Sequence, residues 1–158
     1  MAALRNVREA VEPGGRLVMV VWRQKVDQEI MYLAEQIVER YVEEPDESDE
    51  PTCGPGPFSM ANADTTSGIL VAAGFHEVEL RRLDLPYRFG ADVDEAVAVM
   101  LALGPAAEVV RLAGDDAEQV RSEIEAALGE AFARYDGPDG VVAPASTWIV
   151  SATVPETG

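Results

Sequence analysis

The pattern of apolar positions is densest in Leu17-Val18-Met19-Val20-Val21, a run of five apolar residues with three valines, followed by Trp22. Pro13-Gly14-Gly15 precedes it and Arg23-Gln24-Lys25 follows it. A short, unbroken apolar run bounded by turn residues reads as a strand covered on both faces, in a parallel or mixed sheet flanked by helices. Before the run, Leu4, Val7, Ala10 and Val11 recur at three- and four-residue spacing and make one face of a short helix. Pro13 cannot continue that helix, and the two glycines let the chain reverse into the strand.

After the strand, Val26, Ile30, Leu33, Ala34, Ile37, Val38 and Tyr41 form one helical stripe, with Asp27 as the expected N-cap. A further helix is expected over residues 65–73, capped by Asp64 and ended by Gly74. A strand over 77–89 follows. Its apolar alternation changes phase near Arg81-Arg82, which predicts a bulge or break there, and Pro86 favours an edge position. From Asp92 the helical period returns, with Gly104-Pro105 as a stop, a second helix over 106–112 and a third from Asp115 or Asp116 to Tyr135. Asp136-Gly137-Pro138-Asp139-Gly140 reads as a loop before a last strand within 141–154.

Two stretches have no apolar period. Residues 43–50 hold six carboxylates, Glu43, Glu44, Asp46, Glu47, Asp49 and Glu50, which repel one another and have nothing to bury, so a solvated loop is expected. Their spacing does not match a calcium loop. Gly54-Pro55-Gly56-Pro57-Phe58 is stiff and irregular, suited to presenting Phe58 at a defined place. It is no phosphate cradle, because prolines remove the amide donors a phosphate needs.

Composition narrows the chemistry. A length of 158 residues suits one domain of ordinary size. No apolar run has the length of a membrane span and no signal-peptide pattern is present, so a cytoplasmic location is expected. The 29 acidic residues against 12 basic ones, a formal charge of -17, argue against nucleic acid or an anionic membrane as partner. One cysteine, Cys53, and one histidine, His76, leave no disulfide framework, no thiolate or imidazole metal site and no Ser-His-Asp or Cys-His set.

The run from Ala3 through Pro13-Gly14-Gly15-Arg16 to Trp22-Arg23 resembles the fourth helix and fifth strand of class I S-adenosylmethionine (SAM)-dependent methyltransferases, of the kind found in ubiquinone and menaquinone biosynthesis. Gly54 to Met60, Ile69 to Phe75, the following strand, the helical segment and Trp148-Ile149-Val150-Ser151-Ala152 agree with that family in order. The resemblance covers the whole chain but only the C-terminal half of the family's fold. It implies an α/β architecture: a partial Rossmann-like sheet of strands 16–22, 77–89 and 144–154, equivalent to the family's fifth, sixth and seventh, with the last between the other two. Residues 1–158 would form one domain, with 90–140 a helical insertion capping the acceptor pocket.

The implied function is methyl transfer from SAM to a small, uncharged or apolar acceptor. Ligands of such sheets bind beyond the carboxyl ends of the strands. Trp22, Arg23, Phe58, Tyr87 and Phe89 are therefore the expected acceptor-binding residues. The Gly-rich turn and ribose-binding carboxylate that hold the cofactor in this fold class are absent from the sequence, so this chain alone is expected to bind no SAM. The expected partner is a separate N-terminal half or a second copy, paired along Leu17 to Val21. The alternative is a non-enzymatic dimeric domain for binding small molecules or partners.

Overall fold

The computed structural model describes residues 2–42 and 56–156. Both stretches that contain residues 43–55, the acidic run and the first part of the Pro-Gly segment, lie outside the described residues. The elements are α1 (Ala2–Ala10), β1 (Arg16–Trp22), α2 (Glu29–Val38), α3 (Ala63–Ala72), β2 (His76–Gly90), α4 (Val93–Ala102), α5 (Pro105–Ala113), α6 (Asp115–Gln119), α7 (Arg121–Phe132), β3 (Asp136–Gly137) and β4 (Gly140–Thr153). Single 3₁₀ turns cover Lys25–Asp27 and Ala133–Tyr135. The fold is mixed α/β with an antiparallel sheet, ordered β1-β4-β2, and β3 forms a short ladder with β4. The last strand thus lies between the other two, and β2, with Pro86, is an end strand.

The described residues divide into two compact units. The first contains 2–24, 56–84 and 146–156. Here β1 pairs antiparallel with β4, Leu17 opposite Ala152, Met19 opposite Val150 and Val21 opposite Trp148. One face of this ladder packs Leu17, Met19, Val21, Val150 and Ala152 with Leu70, Phe75, Leu4 and Val11 from the helices and turns around it. The opposite face of β1 is bare: Val18 is 57% and Val20 63% exposed. The expectation of a strand covered on both faces is therefore corrected. Side chains alternate between faces with period two, so a continuous apolar run supplies two apolar faces, and the described helices of this unit cover one.

The turn into β1 shows why two glycines stand there. Gly14 has φ +78°, its amide donates to the Val154 carbonyl at 3.0 Å, and a Cβ on Gly15 would fall 2.5 Å from Val11 Cγ1. Gly15 also accepts from the Val154 amide at 2.8 Å, which fixes the start of the ladder. At the end of α3, Gly74 has φ +96° and donates to the Val71 carbonyl, while Phe75 donates to Leu70, the paired bonds of a Schellman stop. In β2 His76, Val78 and Leu80 are part-buried on one parity and Leu83 on the other, with Arg81 and Arg82 exposed between them.

The second unit contains 25–42 and 85–145 and is mainly helical. Ile30, Ala34 and Val38 of α2, Ala96 and Met100 of α4, Val109 of α5, and Ile124, Leu128 and Phe132 of α7 are buried, through packing of α2 on α5 and α7 and of α4 on α5 and α7. Asp92 caps α4 as its side chain accepts from the Glu95 amide at 2.9 Å. Pro105 opens α5 at a position where a missing amide costs nothing.

Three local expectations change. Asn62, not Asp64, caps α3, its Oδ1 accepting from the Thr65 amide at 2.9 Å, so the helix begins two residues earlier than expected. Asp27 lies in a 3₁₀ turn and Gln28 occupies the position before α2. The helix expected from Asp115 or Asp116 to Tyr135 is broken at Val120, whose φ of -107° and ψ of 10° leave the helical well. Among the described residues no single helix is long and apolar enough to cross a membrane.

Candidate acceptor site

Arg23 follows the last residue of β1 on the same parity as Leu17, Met19 and Val21. It therefore extends the covered face, whereas Trp22 belongs with Val18 and Val20 on the bare one. The two adjacent residues expected in one site thus leave the strand on opposite faces. The Arg23 amide donates to the Ser146 carbonyl at 3.1 Å, continuing the β1–β4 ladder by one step.

Around the Arg23 side chain the structure assembles a polar row across three strands. Nη1 donates to Ser146 Oγ at 2.9 Å. The Ser146 hydroxyl in turn donates to Asp84 Oδ1 on β2 at 2.5 Å. Arg82 Nε donates to Asp84 Oδ2 at 2.7 Å, and Arg23 Nη1 is 4.0 Å from Asp84 Oδ1. The guanidinium of Arg23 stacks over the Trp148 ring, 4.7 Å from its centroid. The Ser146 hydroxyl bond, then the flanking Arg82 and Arg23 charges, hold the Asp84 carboxyl below its ordinary range.

Trp148 also joins this row to the segment that carries Phe58, since its indole Nε1 donates to the Ala61 carbonyl at 2.9 Å. That segment is closed by bonds from the Ser59 amide to Gly56 and from the Ala61 amide to Phe58. Its position on α3 is fixed by Thr66, whose hydroxyl donates to the Met60 carbonyl at 2.7 Å. Phe58 is partly buried. One indole therefore contacts both: the Arg23 guanidinium lies over its ring and its Nε1–H reaches the Ala61 carbonyl of the Phe58 turn.

Tyr87 and Phe89 lie in the second unit and form their own edge-to-face pair, with centroids 4.9 Å apart and planes at 64°. Phe89 is buried there and Tyr87 is 51% exposed. In the same unit α4 and α7 enclose a groove of about 360 Å³, lined by Val97, Ala98, Leu101 and Gly129, with Arg121 paired to Glu125 at 3.0 Å on its rim. Neither aromatic residue lines that groove. Glu35, buried on α2, is paired with Lys25 at 2.7 Å. His76, 43% exposed, stands 3.8 Å from Glu77. Among the described residues no three or more His, Cys, Asp or Glu side chains are placed to hold a metal ion.

Ser146, Trp148 and Asp84 are the members of the row that sequence reasoning missed. Asp84 interrupts Leu83 and Leu85 within a strand, and Trp148 follows four small residues, Ala143 to Thr147 with a proline among them, so both were visible as oddities. Their partnership was not, because it joins β4 to β2 across 62 positions of the chain. The row offers a fixed guanidinium, a carboxylate and an indole face in one place. A guanidinium, a carboxylate and an indole so arranged can bond to and stack against a small molecule. No family model and no curated protein matches the chain.

Proposed function

We propose that this chain is the acceptor-recognising, C-terminal half of a SAM-dependent methyltransferase. The observation that carries the reading is the strand order β1-β4-β2, with the last strand inserted antiparallel to β1 between β1 and β2. That order is the one implied by the resemblance of Pro13 to Arg23 and of the segments after it. Methyl transfer needs chiefly in-line positioning of the acceptor against the sulfonium, which a site without an acid–base pair can provide. Arg23, Trp148 and the Phe58 turn, all in the first unit, are the residues assigned to acceptor recognition; Tyr87 and Phe89 belong to the second unit and are not assigned to that site.

SAM belongs to a partner in this scheme. The 158 residues encode no strand followed by a Gly-rich turn and helix, so the cofactor half is a separate stretch of polypeptide that pairs along β1 and covers Val18 and Val20. The complex would act on a small molecule in the cytoplasm. Titration calorimetry of the chain with SAM should show no saturable binding at submillimolar concentrations, while planar aromatic compounds quench its tryptophan fluorescence saturably. A micromolar dissociation constant for SAM overturns the reading.

The exposed valines of β1 also favour a second reading, a non-enzymatic dimer in which two copies pair through β1. Sedimentation separates the two. A stable homodimer at micromolar concentration supports the second, and a monomer that captures a SAM-binding half supports the first.

A further inference from the structure

The groove between α4 and α7 lies within the second unit, and none of the residues assigned to acceptor recognition lines it. Its volume of about 360 Å³ falls at the small end of the range of ligand sites. Val97 and Leu101 of α4 give it apolar walls, and Gly129 leaves the α7 side without a side chain.

Gly129 calls for a reason. After proline, glycine is the least favourable residue within a helix, and here neither the backbone nor the packing demands one. The glycines with positive φ are at 14, 74, 104, 114 and 140, so Gly129 keeps ordinary helical geometry inside α7. A Cβ built on it would meet nothing nearer than Val93 Cγ1 at 3.9 Å, an ordinary contact. Alanine would therefore suit the helix better, and what the missing side chain preserves is the open groove.

The charges of the lining decide what the groove fits. Arg121 is engaged by Glu118 at 3.5 Å and by Glu125 at 3.0 Å, so its charge is already matched. Asp94 also lines the groove, and it has no ion-pair partner among the described residues. Asp94 and Glu125 against Arg121 leave one net negative charge in the lining. The whole chain, at -17, adds the same sign at longer range, and a cleft of one sign concentrates ions of the other.

We propose that this groove is a second ligand site, which takes a small organic cation: an ammonium group at Asp94, carried on an apolar body that lies along Val97 and Leu101 and over Gly129. The proposal goes beyond the acceptor reading and shares no residue with it. Burial of the apolar body supplies most of the affinity, and the ammonium supplies the preference for a cation.

The test titrates cyclohexylmethylamine, protonated at neutral pH, into the full chain by calorimetry beside cyclohexylmethanol, which has nearly the same shape and no charge. The amine should bind saturably and about two- to fivefold more tightly than the alcohol, the size of one exposed ion pair. Asp94→Asn should bring the amine to the affinity of the alcohol, and added salt should weaken the amine alone. Gly129→Ala should raise the urea midpoint while weakening both compounds, a pairing that a structural need for glycine would reverse. Gly129→Leu should abolish binding of both; should that variant not fold, Ala98→Leu on the α4 side fills the same space. Absence of saturable binding, equal affinities for the two compounds in the wild type, or binding that survives the filled groove overturns the proposal and leaves the acceptor reading untouched.

Discussion

The two faces of β1 are made from one apolar run and have opposite fates. Leu17, Met19 and Val21 pack into a core with Leu70, Phe75 and Val150, while Val18 and Val20, one residue away along the chain, stand mostly exposed. A surface strand normally resolves this by alternating apolar with polar residues. This one does not. The valines on the bare face are therefore surplus to the packing of the described residues, which is why the proposed partner is placed there. The two ends of the sheet repeat the contrast: β2 carries Glu77, Glu79, Arg81, Arg82, Asp84 and Pro86, devices that discourage strand pairing, and β1 has no charge or proline between Arg16 and Arg23.

The sharpest break in the comparison comes from the covered side. Leu70 of α3 is fully buried beneath it, so Leu70→Ala should lower unfolding free energy by about 2–5 kcal/mol through lost transfer energy and a residual cavity. Urea denaturation measures it; a change below about 1 kcal/mol would mean that this face is not a packed core. Next in size is the cap of the helix that carries Leu70. Asn62→Ala removes the bond to the Thr65 amide and should cost about 1 kcal/mol in the same assay, whereas Asp64→Ala, at the position that sequence reasoning favoured, should cost less.

On the bare side the expected stability effect nearly vanishes. Val18→Thr with Val20→Thr should shift the chain's own stability by less than about 0.5 kcal/mol, since these side chains lose little contact. The same pair should abolish association through β1, read by sedimentation velocity. A large loss of stability in the isolated chain would show that the face is already covered.

The smallest effect concerns the polar row where the covered face ends. Asp84 has a folded pKa below the ordinary carboxyl value, so its contribution is present in full above the unfolded value near 3.9 and is lost as pH falls through the lower folded one. Because the side chain is 44% exposed, that contribution is screened and small. Denaturation midpoints of wild type and Asp84→Asn should therefore differ most at neutral pH and converge below the carboxylate range. Midpoints that diverge on acidification would contradict the assigned direction.

Much of the architecture was legible because it is written at short range. The Pro-Gly-Gly turn, the apolar strand after it, the helix stop at Gly74, the return of helix from Asp92 and the Gly104-Pro105 break each depend on residues within about five positions. The order of strands was legible too, through the resemblance, and the edge position of β2 through Pro86. The caps at Asn62 and Gln28 were misplaced because several polar residues stand near each helix start, and backbone angles choose among them.

The candidate site was legible only as single residues. The sequence by itself determined that β1 would be apolar throughout, that an arginine and a tryptophan would close it, and that the chain would carry a large negative charge. Tertiary structure alone decided which face of β1 is covered, that Trp22 and Arg23 part company, and that Arg23 meets Ser146, Asp84 and Trp148. The physical reason is strand geometry. A one-residue step reverses a side chain, and the partners it then meets are set by the register of ladders that join residues more than a hundred positions apart.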